Sequence, residues 1–108
     1  MKSNEVFVVE TTCGSTKEAN QLGRGAVEAE LAACCHLVPI RSCYRWHGKV
    51  QEAEEVLVRW KVSHADVEPL IAYVKTHHSY EVPELFVIDL TCKNPAYQQW
   101  VEARGKDM

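Results

Sequence analysis

Three stretches of this chain carry side chains able to hold a metal ion or a small polar ligand. Cys34-Cys35-His36 offers two thiols and an imidazole, donors that favour copper or zinc, and copper(II) heads the divalent affinity order. His77-His78 pairs two imidazoles, which could meet Cys34 or a carboxylate from a neighbouring chain. Tyr80, Glu81 and Glu84 flank Pro83, where a stiff backbone could present carboxylates into a cleft beside Lys61 and Trp46. Each stretch also has a structural reading. Unpaired cysteine is among the most buried residue types, so Cys34 and Cys35 could serve as small core residues. Neighbours on a strand point to opposite faces, which keeps Cys35 and His36 from chelating one ion together. Imidazoles at a helix C-terminus gain about 0.3–1 kcal/mol from the helix dipole when protonated. Glu52, Glu54 and Glu55 read as solvated charges protecting a strand edge.

The elements that must position these groups follow from periodicity. Val6 to Thr11 is a β-branched run that reads as a buried strand. Ser15 and Glu18 have capping-box spacing, so a helix starts near Thr16, with Ala19, Leu22, Ala26, Ala29 and Ala33 as its apolar side. Gly23 and Gly25 each cost that helix about 1 kcal/mol relative to alanine, which packing must offset. From His36 the period becomes two, placing Val38, Ile40, Tyr44 and Trp46 on one face, and Pro39 predicts a bulge or an edge strand. His47-Gly48-Lys49 turns the chain, and a return strand from about Val50 to Val62 completes a hairpin too long for a small domain. Its projecting edge calls for pairing with another subunit.

Asp66 is placed to cap a second helix with Pro69 in its first turn, Val67, Leu70, Ile71 and Val74 as its apolar face, and His77 and His78 at its end. Glu84 to Leu90 reads as a strand, and Asn94-Pro95 opens a short helix carrying Tyr97, Trp100 and Val101. The expectation is one α+β domain over residues 1–108: a ferredoxin-like βαββαβ antiparallel sheet covered by helices on one face, with a long central hairpin and an additional C-terminal helix.

Bulk properties narrow the partners. A net charge of −3, with scattered Lys and Arg, weighs against nucleic acid and anionic membranes. The polar start Met1 to Glu5 leads into too short an apolar run for a signal peptide, and no stretch is long enough to span a bilayer. Five cysteines without a C-x-x-C pair indicate neither a disulfide framework nor a zinc finger, so the expected compartment is the reducing cytoplasm. There is no G-x-S-x-G, P-loop, H-E-x-x-H or dinucleotide fingerprint; the leading expectation is a binding protein rather than an enzyme, with Glu81 as a general base the enzymatic alternative.

Glu30-Leu31-Ala32-Ala33-Cys34, Tyr44-Arg45-Trp46-His47-Gly48-Lys49 and His77-His78-Ser79-Tyr80-Glu81-Val82-Pro83-Glu84, in that order and register, resemble the CutA divalent-cation tolerance family over nearly the whole chain. The resemblance implies a homotrimer whose hairpin strands pair across subunits, copper or other divalent-cation binding, and a contribution to metal tolerance. It points to His77 and His78 as ligands, to which the thiol chemistry of Cys34 adds a third. The alternative it implies is a PII-like trimeric sensor that binds a small metabolite in intersubunit clefts lined by Trp46, Lys61, Tyr80, Glu81 and Glu84. Cys35, His36, His47 and Ser79 depart from the family's common residues, and the first two add donors.

Overall fold

The computed structural model describes residues 5–106, so the polar segment 1–4 lies outside the described residues. Four strands and three helices alternate as β1 (Glu5–Cys13), α1 (Thr16–Glu28), β2 (Cys34–Trp46), β3 (Lys49–Val62), α2 (Val67–His77), β4 (Phe86–Thr91) and α3 (Pro95–Glu102). The sheet order is β2-β3-β1-β4, with every neighbouring pair antiparallel, which is the ferredoxin-like arrangement. Pro39 lies on the edge strand β2 and stays in register opposite Val56, so the missing donor is accommodated by edge position and no bulge is needed.

Alternation sorts the strands into two faces. Val9 and Cys13 of β1 line up with Val56, Val58, Trp60 and Val62 of β3 beneath α1 and α2, forming the main core with Ala19, Leu22, Ala26, Leu70 and Val74. The small residues of α1 let it sit close to the sheet. The Trp60 indole donates to the Gly23 carbonyl at 3.1 Å, and a Cβ on Gly23 would stand 2.7 Å from Cys35 Sγ. Gly25 similarly makes room for the Tyr73 hydroxyl of α2. Close packing thus offsets the glycines' helix penalty.

Not all helices share that face. Val6 points opposite to Phe7 and Val9, and it forms a second small core with Ala33 and Val101, flanked by Cys92, Tyr97 and Trp100. Helix α3 therefore covers part of the face that the sequence reading left open.

Helix ends also differ from the sequence reading. Helix α1 stops at Glu28, leaving Ala29 exposed and Ala33 beyond the helix. Glu30 takes φ 61°, Leu31 N–H bonds the Ala26 carbonyl at 2.9 Å, and Glu30 N–H bonds that of Val27, a Schellman closure. Helix α3 ends likewise, with Arg104 at φ 60° and Gly105 N–H on the Trp100 carbonyl. Asp66 does not cap α2 with its side chain. It ends a three-residue 3-10 turn, His64–Asp66, and its buried carboxylate receives Arg104 through two bonds of 3.0 Å, with a longer one from Ser63. Asn94 caps α3 as expected, accepting from Ala96 N–H.

The β2–β3 hairpin pairs without interruption from Cys34↔Lys61 to Trp46↔Lys49. Positive φ at His47 and Gly48 gives the two-residue turn that matches strand twist. Its outer half is exposed on both strands, and it stretches the domain to 46 × 24 × 22 Å.

Candidate metal centre and adjoining cavity

The C-terminal end of β1, the first turn of α1 and the segment after α2 converge on one cluster. Ser15 Oγ accepts the Glu18 N–H at 3.1 Å, half of a capping box. The Glu18 carboxylate instead accepts the Ser79 N–H at 2.8 Å. Beside it the His78 side chain is fully buried. Its Nδ1 accepts the Tyr80 N–H at 3.0 Å, which leaves the ring proton on Nε2, facing the Thr12 carbonyl at 2.8 Å. The Thr11 hydroxyl donates to the Glu84 carbonyl, fastening the far end of the same segment.

Cys13, Glu18 and His78 thereby place a sulfur, a carboxylate oxygen and a ring nitrogen all within 4.8 Å of one another. Burial, then the charges of Glu18 and Glu55 and the neighbouring Cys35, push the Cys13 thiol up to about 12. Burial alone would raise the Glu18 carboxyl, but hydrogen bonds from Ser79, with smaller contributions from nearby His78 and from Gly14, outweigh it and hold the group below its ordinary range. A soft thiol, a borderline imidazole and a carboxylate suit copper or zinc. An ion here must displace the thiol proton and take over the Nδ1 lone pair now spent on Tyr80.

The residues singled out from sequence divide among three places. His78 lies in this cluster, and His77 lines a neighbouring hollow with Glu18 and Tyr73, stacked on the Tyr73 ring at 4.2 Å. Its Nδ1 donates to the Tyr73 carbonyl, leaving Nε2 as the nitrogen available to a ligand. Cys34 is elsewhere: its register partner is Lys61, its sulfur lies 3.6 Å from the Tyr97 hydroxyl, and four residues of β1 separate that level from Thr12, roughly 13 Å. Cys13, an isolated thiol at a strand end, was not singled out, and only the tertiary fold brings it beside His78.

Trp46, Tyr80 and Glu81 do line one cavity of about 530 Å³, joined by Tyr44, Glu55 and Val82. Lys61 and Glu84 are not among its lining residues. Lys61 Nζ lies 3.4 Å from His36 Nδ1 instead. Glu52 stays on the exposed hairpin, in a surface pair with Arg41 at 3.1 Å, whereas Glu55 accepts the Tyr80 hydroxyl at 2.9 Å.

The family described as CutA1 divalent ion tolerance protein matches residues 7–104. Protein CutA of Mus musculus is 41% identical over 91 residues, covering 83% of this chain and 51% of its own length. The Protein CutA homolog of Xenopus laevis is 38% identical over 100 residues, covering 92% of this chain and 66% of its own. The chain thus spans half to two thirds of these relatives. The structure of CutA from Synechococcus elongatus PCC7942 superposes with a TM-score of 0.91 at 31% identity, covering 98% of this chain and 95% of that one. This chain belongs to the CutA1 divalent ion tolerance protein family.

Proposed function

We propose that the chain is the subunit of a cytoplasmic homotrimer that binds divalent cations, copper foremost, and contributes to metal tolerance. The observation that carries this reading is the approach of Cys13, Glu18 and His78 to within 4.8 Å, in a chain whose family is named for divalent ion tolerance. His78 comes into the centre from the pair that the sequence nominated, and His77 stands next to Glu18 as an accessible outer donor. Cys34 has no part in this centre within one chain.

Trimer formation is supported by the projecting β2–β3 arms and the unpaired edge of β2. Val38 and Phe86, both exposed, add apolar surface on the face opposite α1 and α2. The cytoplasm is supported by five cysteines that form no disulfide.

Native mass spectrometry with added copper(II) and zinc tests both parts of the reading. The expected species is a trimer taking up one ion per chain, with uptake lost in Cys13→Ser and in Glu18→Gln. Full uptake by both variants would overturn the assignment of the centre. A stable monomer at micromolar concentration would overturn the assembly.

A further inference from the structure

From the atoms that an ion at Cys13, Glu18 and His78 would occupy, we infer that the centre is a switch: the ion and the segment 79–84 compete for the same acceptors, so uptake releases that segment from the first turn of α1. The inference rests on the metal reading above and adds what uptake does to the protein.

Two consecutive amides are at stake. His78 Nδ1 has one lone pair, and it accepts the Tyr80 N–H at 3.0 Å. Glu18 Oε2 lies 3.8 Å from that nitrogen and accepts the Ser79 N–H at 2.8 Å. The other ring nitrogen faces the Thr12 carbonyl, so Nδ1 is the one turned toward the carboxylate. An imidazole lone pair given to a cation cannot also accept a hydrogen bond, and an amide proton beside that cation is repelled. The Tyr80 N–H must therefore leave when an ion binds, and the Ser79 N–H is weakened as Oε2 shares its charge with the ion.

Little else holds the segment. Helix α2 ends at His77 and β4 begins at Phe86, and among the described residues no turn or loop hydrogen bond between backbone groups involves residues 79–84. Side chains hold it instead: besides the two amides, the Tyr80 hydroxyl donates to Glu55 of β3 at 2.9 Å, and the Glu84 carbonyl accepts from the Thr11 hydroxyl. Leu85 packs against the main core and fixes the far end. A stretch held by so few bonds opens at the low end of a protein's local stabilities, without unfolding the sheet. Tyr80 carries both a contested amide and the contact with Glu55, so the arrival of an ion is passed on to β3.

Coupling of this kind is reciprocal, and whatever loosens the segment tightens the ion. A centre whose donors stood free would behave in the opposite way. Ion and segment would then stabilise each other, and the amides would gain protection on binding.

The test follows amide hydrogen exchange at Ser79 and Tyr80 with and without zinc, by mass spectrometry with residue-resolving fragmentation, while native mass spectra of the same samples count the bound ions. At one zinc per chain the Tyr80 amide is expected to exchange about tenfold faster and the Ser79 amide to follow, with Val9 and Trp60 in the core keeping their rates. Zinc bound with Tyr80 exchange unchanged or slower would overturn the switch and leave the metal reading standing. Absence of zinc uptake would overturn that reading, and the switch with it. Affinity gives a second measurement. Tyr80→Phe keeps the ring that lies 4.8 Å from the His78 ring and removes only the tie to Glu55, so zinc should bind about fivefold tighter. Equal or weaker binding by the folded variant would overturn the coupling.

Discussion

The Glu18 carboxylate accepts the Ser79 N–H at 2.8 Å across 61 residues of sequence, so the first turn of α1 holds the segment that follows α2. Removing this contact in Glu18→Ala should lower stability by about 1 kcal/mol, a charged hydrogen bond discounted for partial exposure. Its pH dependence has a definite sign. The folded carboxyl is more acidic than its ordinary value of 4.5, so its contribution is complete above that value and is lost as pH falls through the folded pKa. Urea midpoints of wild type and Glu18→Gln should therefore differ at pH 7 and converge as pH falls through the folded pKa of Glu18.

Ion uptake at the Cys13 centre should release a proton. The thiol is held at about 12, chiefly by burial, and stays protonated through the neutral range until a cation replaces its proton. Zinc affinity measured at pH 6, 7 and 8 should rise by about tenfold per unit. A flat profile would mean that Cys13 is not a ligand.

Thiol chemistry should rank the cysteines by place. Burial raises both Cys13 and Cys35 to about 12, whereas Cys43 is exposed on the hairpin. Brief iodoacetamide treatment followed by peptide mass spectrometry should label Cys43 while Cys13 and Cys35 stay unmodified. Early labelling of Cys13 would contradict its burial.

Gly23→Ala sets helix propensity against space. Alanine gains about 1 kcal/mol in a helix. The new methyl, however, meets Cys35 Sγ at 2.7 Å, Leu37 at 3.4 Å and Val58 at 3.5 Å. Overpacking costs about 1–3 kcal/mol, so the net change should be destabilising. Adding Cys35→Ala opens the same volume, and a double-mutant cycle should show the pair recovering stability that neither change predicts alone.

Arg104→Ala should shift the thermal midpoint down further than Arg24→Ala. Arg104 makes two hydrogen bonds to the buried carboxylate of Asp66, whereas Arg24 makes one exposed contact with Glu28. Differential scanning fluorimetry of the two variants gives the comparison. Equal midpoints would remove Arg104 from the forces holding α3 to the domain.

The fold was legible because its signals are periodic and local. The period-two runs of β2 and β3, the Asn94-Pro95 start and the Ala19, Leu22 and Ala26 part of the small-residue side of α1 appeared where the sequence placed them. The end of α1 was not legible, because its left-handed position is filled by Glu30 where glycine is the usual signal. Asp66 misled for a related reason: an acid before a helix looks like a cap until Arg104, 38 residues later, arrives to claim it. The site was legible in part. His78 sits in a motif, but Cys13 becomes a candidate ligand only when Thr12 and the segment after α2 are brought together.

The hairpin divides this protein's sequence between two kinds of scrutiny. Tyr44, Trp46 and Val50 near its tip are exposed in a single chain, so a change there removes little of the surface that the domain buries on folding. A cell's proteolytic surveillance, which detects unfolding, would pass such variants. With the arms as the parts that build the proposed trimer, errors there would act on assembly more than on the fold of the chain, so expression level alone would be a poor guide to a working molecule.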